Sequence, residues 1–264
     1  MATVSALPSP SVVATFVAAR RRVLDSIADA CARAGRDPSE VTLVAVSKTV
    51  PADRLVAAVA AGLTILGENR VQEGETKAPL VAGTRWHLIG PLQSNKARRA
   101  IEIFETIQSV DSIDLARRLD RLAGEAPTAS SADLVGRAGG GPLTIYLQVN
   151  VDLDEAKAGF LPAALEAALP ELAELTNLRL LGLMTVGRSV GGPEAARPTF
   201  ARLRNLSERL RAVGPALGPG LSMGMSGDFA VAVEEGATVV RVGRAIFGER
   251  PGPGQGGDAT GMGR

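Results

Sequence analysis

"VTLVAVSKTVPADRLVAAVAAGLTILGEN", residues 41–69, holds a complete strand–helix–strand pattern. It begins with an apolar, β-branched run, which is typical of a strand buried on both faces. Pro51 suits the start of a helix, and Gly62 suits its end. A second short apolar run follows the glycine. Because strands that alternate with helices form parallel sheets, the stretch predicts a βαβ unit.

The same unit recurs along the whole chain. Eight strand-like runs lie at residues 42–47, 64–69, 85–90, 105–111, 144–150, 178–186, 220–226 and 238–247. Helix-patterned segments separate them. Eight such units at 264 residues predict an α/β fold, a (β/α)8 TIM barrel. The alternative, an open doubly wound sheet, would prefer a glycine fingerprint after the first strand, and "SKTVPADR" has none.

The segments outside this rhythm suggest how the chain is organised. Residues 10–34 predict an additional N-terminal amphipathic helix, with Ser11 as a cap and Gly35 as a stop. Residues 124–142 are rich in small and polar side chains and predict a flexible insertion between strands four and five. Residues 251–264 cannot bury a core and predict a disordered tail. We therefore expect a single barrel domain over residues 1–250.

Composition and charge limit the partners. The formal net charge of +1 argues against nucleic acid or an acidic membrane surface as the main partner. A lone cysteine, Cys31, excludes an intramolecular disulfide and is expected to be a small core residue. No apolar run approaches the roughly 20 residues that span a bilayer. We expect a soluble, cytoplasmic protein, and a monomer because no long exposed apolar stripe is left over.

Lysine is used sparingly, which draws attention to its positions. Of 29 basic residues only four are lysine, at positions 48, 77, 96 and 157. Lys48 ends the first strand, at the face where TIM barrels carry their active sites. A lysine in low-dielectric surroundings loses its proton and can form a Schiff base with a carbonyl, whereas arginine stays protonated. The alternative for Lys48 is a side chain that reaches solvent from the strand end.

The last two strands end in residues suited to an anion. Ser226-Gly227 follows strand seven, and Gly243-Arg244 follows strand eight. Backbone N–H groups at such turns bind phosphate, and these two loops are the habitual phosphate site of the fold. The alternative is that Ser226 or Asp228 only caps a helix. A Schiff-base lysine together with a phosphate site indicates an aldehyde that carries a phosphate, which is pyridoxal 5′-phosphate (PLP).

These motifs resemble the pyridoxal phosphate homeostasis proteins (the YggS/PROSC family). The matching segments are "AVSKTVPADRL", "GENRVQE", "WHLIGPLQSNK", "LQVN" with "KAGF", "LRLLGLMTV", "LSMGMSGDFAVAVEEGAT" and "VRVGRAIFGER". They run in order from about residue 40 to 250. The resemblance implies a barrel akin to the N-terminal domain of alanine racemase, with PLP on the lysine of the first strand.

The resemblance also implies roles for individual residues. Lys48 would form the Schiff base, Asn69 would lie near the ring, and Arg241 would reach the ring nitrogen or the phosphate. An arginine beside the ring nitrogen would disfavour its protonation. The residues implied to hold the phosphate are Ser226, Gly243 and Arg244, and Gly227 is expected to be a further cofactor-binding residue. The segment "NVDLDEAKAGF" departs from the family, which often has serine where this chain has Ala156 and Ala158.

Three functions remain open on the sequence. The family implies a non-catalytic protein that buffers PLP and delivers it to PLP-dependent apoenzymes. An amino-acid racemase would need acid/base groups on both faces of the substrate, and the only tyrosine is Tyr146, with no length left for a second domain. A Schiff-base aldolase acting on phosphosugars fits the fold but lacks the family motifs.

Three further residues carry expectations. His87, the only histidine, is expected to be a satisfied interior residue, because one histidine and one cysteine offer no metal cluster. "GETKAP", with Lys77, indicates a surface helix. Lys157 is the best candidate for a second functional lysine.

Overall fold

The computed structural model describes residues 8–125, 141–187, 191–214 and 216–249. Its eight strands are β1 (Thr42–Val46), β2 (Ile65–Glu68), β3 (Arg85–Leu88), β4 (Thr106–Val110), β5 (Leu143–Gln148), β6 (Leu178–Met184), β7 (Gly220–Met225) and β8 (Val239–Val242). All pair in parallel with their chain neighbours, and β8 pairs with β1 to close the barrel. The predicted (β/α)8 fold is confirmed, and the open sheet is wrong.

Helices surround the strands in alternation. Those in the described residues are α1 (Pro10–Ala34), α2 (Ala52–Ala60), α3 (Val71–Lys77), α4 (Ala97–Ile103), α5 (Ile113–Glu125), α6 (Pro162–Glu174), α7 (Arg197–Val213), α8 (Phe229–Glu234) and α9 (Arg244–Phe247). Short 3-10 turns occur at Pro38–Glu40, Ala78–Leu80, Ser94–Lys96 and Pro193–Ala196. None of the described helices has both the length and the apolar character needed to cross a bilayer.

The core has two parts because successive strand residues face opposite sides of the barrel wall. The larger part, which includes Trp86 and Ile107, fills the layer between the strands and the helices. The smaller part lies inside the barrel and consists of Val44, Ile65, Tyr146, Met184 and Val239. The barrel interior is therefore packed, and space for a ligand is left at an end of the barrel.

The N-terminal helix α1 forms part of the outer layer. It buries Phe16, Val23 and Ile27, and the ring of Phe16 meets Phe247 of α9 edge-on at 5.6 Å between centroids. Gly35 ends the helix in the left-handed conformation, with φ at 65°, as its sequence predicts. The helix spans Pro10–Ala34, as predicted, but Ser9 occupies the N-cap position, so Ser11 as the cap is wrong. Cys31 is buried, as expected.

Two other boundaries differ from the predictions. The eighth apolar run is not one strand to residue 247: β8 ends at Val242, and α9 follows directly. Short apolar runs suit strand and helix equally, so periodicity could not find this break. Helix α5 continues through Glu125, so the first residues of the predicted 124–142 insertion are helical. Residues 126–140 and the predicted tail at 251–264 lie outside the described residues.

Candidate functional site

A cavity of about 460 Å³ opens at the carboxyl end of the barrel strands. All seven residues predicted for a site line it: Lys48, Asn69, Ser226, Gly227, Arg241, Gly243 and Arg244. They are spread over almost 200 positions of the chain. Since parallel strands all end on the same side, residues that follow β1, β2, β7 and β8 meet there. Their proximity is a property of the fold, and their roles in binding stay predictions.

The turns after β7 and β8 are joined by a hydrogen bond. The backbone N–H of Gly243 donates to Ser226 Oγ at 3.1 Å. The turn after β7 is closed by Asp228, whose Oδ1 accepts from the N–H of Met225 at 2.6 Å. Asp228 occupies the N-cap position of α8, as the helix-cap alternative expects, but no side chain makes a cap hydrogen bond there. Gly227 leaves open space, since no atom lies within 4 Å of the Cβ that another residue would carry.

Arg241 brings a buried positive charge to the floor of the cavity. Its guanidinium donates to Ser222 Oγ at 2.6 Å and to the carbonyl of Thr185 at 2.8 Å. Burial lowers the pKa of Arg241 to about 10, while the nearby Asp228 works in the opposite direction. The group therefore stays protonated at neutral pH. Among the described residues its hydrogen bonds go to neutral groups, and the carboxylate whose charge acts on it is Asp228.

A chain of hydrogen bonds continues from Arg241 across the barrel. Ser222 Oγ donates to Gln108 Oε1 at 2.6 Å, and Gln108 Nε2 lies 2.8 Å from Nδ1 of His87. This order makes the His87 Nδ1 an acceptor and assigns its proton to Nε2. Burial, with a smaller effect of Arg85, lowers the pKa of His87 to about 3, so the imidazole is neutral. His87 is thus a satisfied interior histidine, as predicted.

Sequence reasoning missed the other members of this chain of hydrogen bonds. Ser222 and Gln108 are fully buried, and Thr185 is nearly so. The signal available in the sequence was a polar residue within an otherwise apolar strand, since such a residue needs a partner when buried. Nothing in the sequence says that these partners are Arg241 and His87.

The prediction for Lys77 is wrong. Its side chain is only 11% exposed, and Nζ lies 2.8 Å from Oε1 of the fully buried Glu68. Lys77 ends the short helix α3, which packs beside the turn that carries Lys48. The pattern of "GETKAP" could not show this, because Glu68 and Ser47, two of the partners of Lys77, lie outside α3.

Two residues considered for function lie outside the cavity lining. Lys157 donates to Asp152 Oδ2 at 3.0 Å and to the carbonyl of Val186 at 3.2 Å, so its predicted second role stays a prediction. Tyr146 is buried, and its ring lies beside Gly220 at the start of β7. Within the described part of the chain, no group of three His, Cys, Asp or Glu side chains is arranged to hold a metal ion.

A parallel barrel with a lysine, a buried arginine and backbone amides around one mouth defines a class of protein. The family model "Alanine racemase, N-terminal domain" describes that class, and it matches residues 24–251. Within the class, this chain belongs to the family of the pyridoxal phosphate homeostasis proteins. The protein of that name from Pseudomonas aeruginosa is 43% identical over 232 residues, which is 87% of this chain and 93% of the relative.

Solved structures agree with this assignment. The structure of PipY from Synechococcus elongatus without PLP is 43% identical and superposes with a TM-score of 0.71. The structure of PipY with PLP bound is 41% identical and superposes with a TM-score of 0.70. Each match covers 84% of this chain and 100% of the solved chain.

Proposed function

We propose that this chain is a non-catalytic PLP-binding protein of intracellular PLP homeostasis, which holds the cofactor as a Schiff base on Lys48. The observation that carries the proposal is the convergence of seven residues, distant in sequence, on one cavity. When bound, PLP supplies an aldehyde, which condenses with a primary amine and releases one water, and a phosphate dianion. The cavity offers a partner for each of these groups.

The size and charge of the cavity support this ligand. Its volume lies within the roughly 300–1,000 Å³ of typical small-molecule sites. The guanidinium groups of Arg241 and Arg244 line it with positive charge, against one carboxylate, Asp228. An anion as strongly charged as a phosphate ester would balance the Arg241 guanidinium, whose hydrogen bonds among the described residues go to neutral groups. The open space at Gly227 lets a phosphate oxygen approach the backbone.

Lys48 supplies the reactive nitrogen in this proposal. A neutral amine is needed to attack an aldehyde, and lysine is the side chain that provides one. Asn69, directly after β2, lies in the same cavity wall and is proposed to face the ring. Ser226, Gly243 and Arg244 are proposed to hold the phosphate, with Arg241 at the ring nitrogen or the phosphate.

Among the described residues, the shortage of a second acid/base group in the cavity supports binding without turnover. A racemase needs such a group on each face of the substrate carbon. Lys48 provides one. Tyr146, the only tyrosine, does not line the cavity, and burial raises its pKa. Asp228 lines the cavity, but its Oδ1 is engaged by the N–H of Met225. We therefore place buffering and delivery of PLP ahead of the racemase alternative.

A labelling experiment tests the proposal. The purified chain is titrated with PLP, the visible absorbance of the Schiff base is followed, and the bond is reduced with borohydride before peptide mass spectrometry. We expect a single label on Lys48, lost in Lys48→Ala and kept in Lys96→Ala, which removes a lysine elsewhere. Absence of a visible band, or a label on another lysine, would contradict the proposal.

Two further assays separate the functions. Racemisation of alanine and other amino acids by the PLP-loaded protein at roughly 1 s⁻¹ or faster would refute the non-catalytic role. Delivery is tested by mixing the loaded protein with a PLP-dependent apoenzyme and following recovery of that enzyme's activity. We expect recovery from the wild-type protein, and no recovery when the Lys48 bond has first been reduced.

A further inference from the structure

The turn that carries Lys48 has an unusual backbone. Thr49, the next residue, has φ at 65°, in the left-handed region that β-branched residues rarely adopt. A conformation of this kind persists only where surrounding contacts hold it. The carbonyl before Lys48 and the amide after it are both held by side chains of α3. Lys77 Nζ donates to the carbonyl of Ser47 at 3.0 Å, and the N–H of Thr49 donates to Glu73 Oε2 at 2.9 Å.

The geometry around Lys77 requires an ammonium group. Its Nζ has three acceptors: the carbonyl of Ser47 at 3.0 Å, Glu68 Oε1 at 2.8 Å and Glu73 Oε2 at 3.0 Å. An ammonium has three N–H donors on one atom, so it can serve three convergent acceptors. A guanidinium spreads its donors over a flat fork and cannot. This accounts for a lysine at position 77 in a chain that uses arginine for most positive charges.

Because Glu68 is buried, its contacts with Lys77 and Ser47 matter for the stability of the turn. The side chain of Glu68 is fully buried, and its Oε1 also accepts from Ser47 Oγ at 2.7 Å. Burial raises the pKa of Glu68, whereas Lys77 and Ser47 work to lower it. Burial also acts on Glu73, but hydrogen bonds from Thr49 and Lys77 prevail and lower its pKa. A buried carboxyl group left without Lys77 would lose its counterion, so the contacts depend on one another.

We propose that Glu68, Glu73 and Lys77 form a positioning cluster that holds the Ser47–Lys48–Thr49 turn and so aims Lys48 into the cavity. The cluster touches the backbone on both sides of Lys48 and is supplied by β2 and α3. Its three members are positioning residues, since they act through the turn. The effect on PLP binding rests on the proposed function of Lys48, whereas the effect on the turn itself does not.

The experiment compares substitutions that keep or remove single contacts. Glu73→Ala removes the acceptor of the Thr49 amide, and Glu73→Gln keeps an oxygen there. Lys77→Arg keeps the charge but loses the three-way geometry, and Lys96→Arg makes the same exchange outside the cluster. Hydrogen exchange of the Thr49 amide is measured without ligand, PLP affinity is measured by absorbance titration, and circular dichroism verifies the fold of each variant.

We expect Thr49 to exchange at least about tenfold faster in Glu73→Ala, and near the wild-type rate in Glu73→Gln. PLP affinity should fall about tenfold in Glu73→Ala and Lys77→Arg and stay unchanged in Lys96→Arg. If Lys77→Arg does not fold, the comparison of Glu73→Ala with Glu73→Gln still tests the cluster. Glu73 is partly exposed on α3, so both of these variants are expected to fold.

The positioning cluster would be overturned if Thr49 exchanged at the wild-type rate in Glu73→Ala and if Glu73→Ala and Lys77→Arg both bound PLP with wild-type affinity. This holds even if PLP is found on Lys48. If instead the wild-type chain takes no PLP on Lys48, the proposed function fails, and the exchange comparison still decides the cluster.

Discussion

The histidine inside the barrel should make the protein acid-sensitive by an amount that can be worked out. The pKa of His87 lies at about 3 in the folded protein, against 6.5 for an ordinary histidine. Below pH 6.5 His87 therefore binds a proton in the unfolded chain but stays neutral in the folded chain. Since the unfolded state holds more protons, stability falls as pH falls from 6.5 towards 3. Above pH 6.5 the histidine is neutral in both the folded and the unfolded chain, so the stability lost at lower pH is fully present.

The expected size follows from the shift in the His87 pKa. Between pH 7 and pH 5 the free energy of protonating the unfolded histidine amounts to about 2 kcal/mol, and the full shift corresponds to about 5 kcal/mol. Carboxylates contribute to the same pH range, so one variant is needed for comparison. His87→Asn removes the titration, and its Oδ1 can still accept from Gln108 Nε2.

The assay is urea unfolding at pH 7 and pH 5, followed by the fluorescence of Trp86, the single and fully buried tryptophan. Asparagine is smaller than histidine, so the free energy of unfolding of His87→Asn will be lower than that of the wild-type protein at both pH values. The measured quantity is the change between the two pH values. We expect the wild-type protein to lose about 2 kcal/mol more than His87→Asn. Equal losses would refute the reasoning that His87 is buried and neutral.

Three other substitutions have defined outcomes. Gly182→Ala should lower the free energy of unfolding by more than about 3 kcal/mol in urea, because the added Cβ would lie 1.9 Å from the carbonyl oxygen of Gly220. Gly83→Ala, also at positive φ but in open space, should cost only about 1 kcal/mol, and equal costs would contradict the clash. Ser226→Ala removes the partner of the Gly243 N–H, so PLP should bind roughly tenfold more weakly by calorimetry, and unchanged affinity would argue against a phosphate site there.

Much of the candidate site could be predicted because its residues follow strand ends. The apolar runs indicated where strands stop, and in a parallel barrel every stop lies on one face. Lys48 and the Ser226-Gly227 and Gly243-Arg244 pairs were found in this way, while Asn69 and Arg241 came from the family resemblance. All of them line one cavity. The eighth apolar run was drawn too far, to residue 247, since a short apolar run is compatible with strand or helix.

The sequence by itself determined the elements, their order and the barrel, because strand and helix preferences act between near neighbours in the chain. The tertiary structure alone decided which polar side chains meet. Gln108 and Ser222 are 114 residues apart and share a hydrogen bond because the barrel closes. Lys77 lies beside the Lys48 turn because its ammonium group donates to Glu68 and to the carbonyl of Ser47, which are 9 and 30 residues away in the chain. Such pairings depend on strand register and on how a helix packs against the wall, and neither is written in any local pattern.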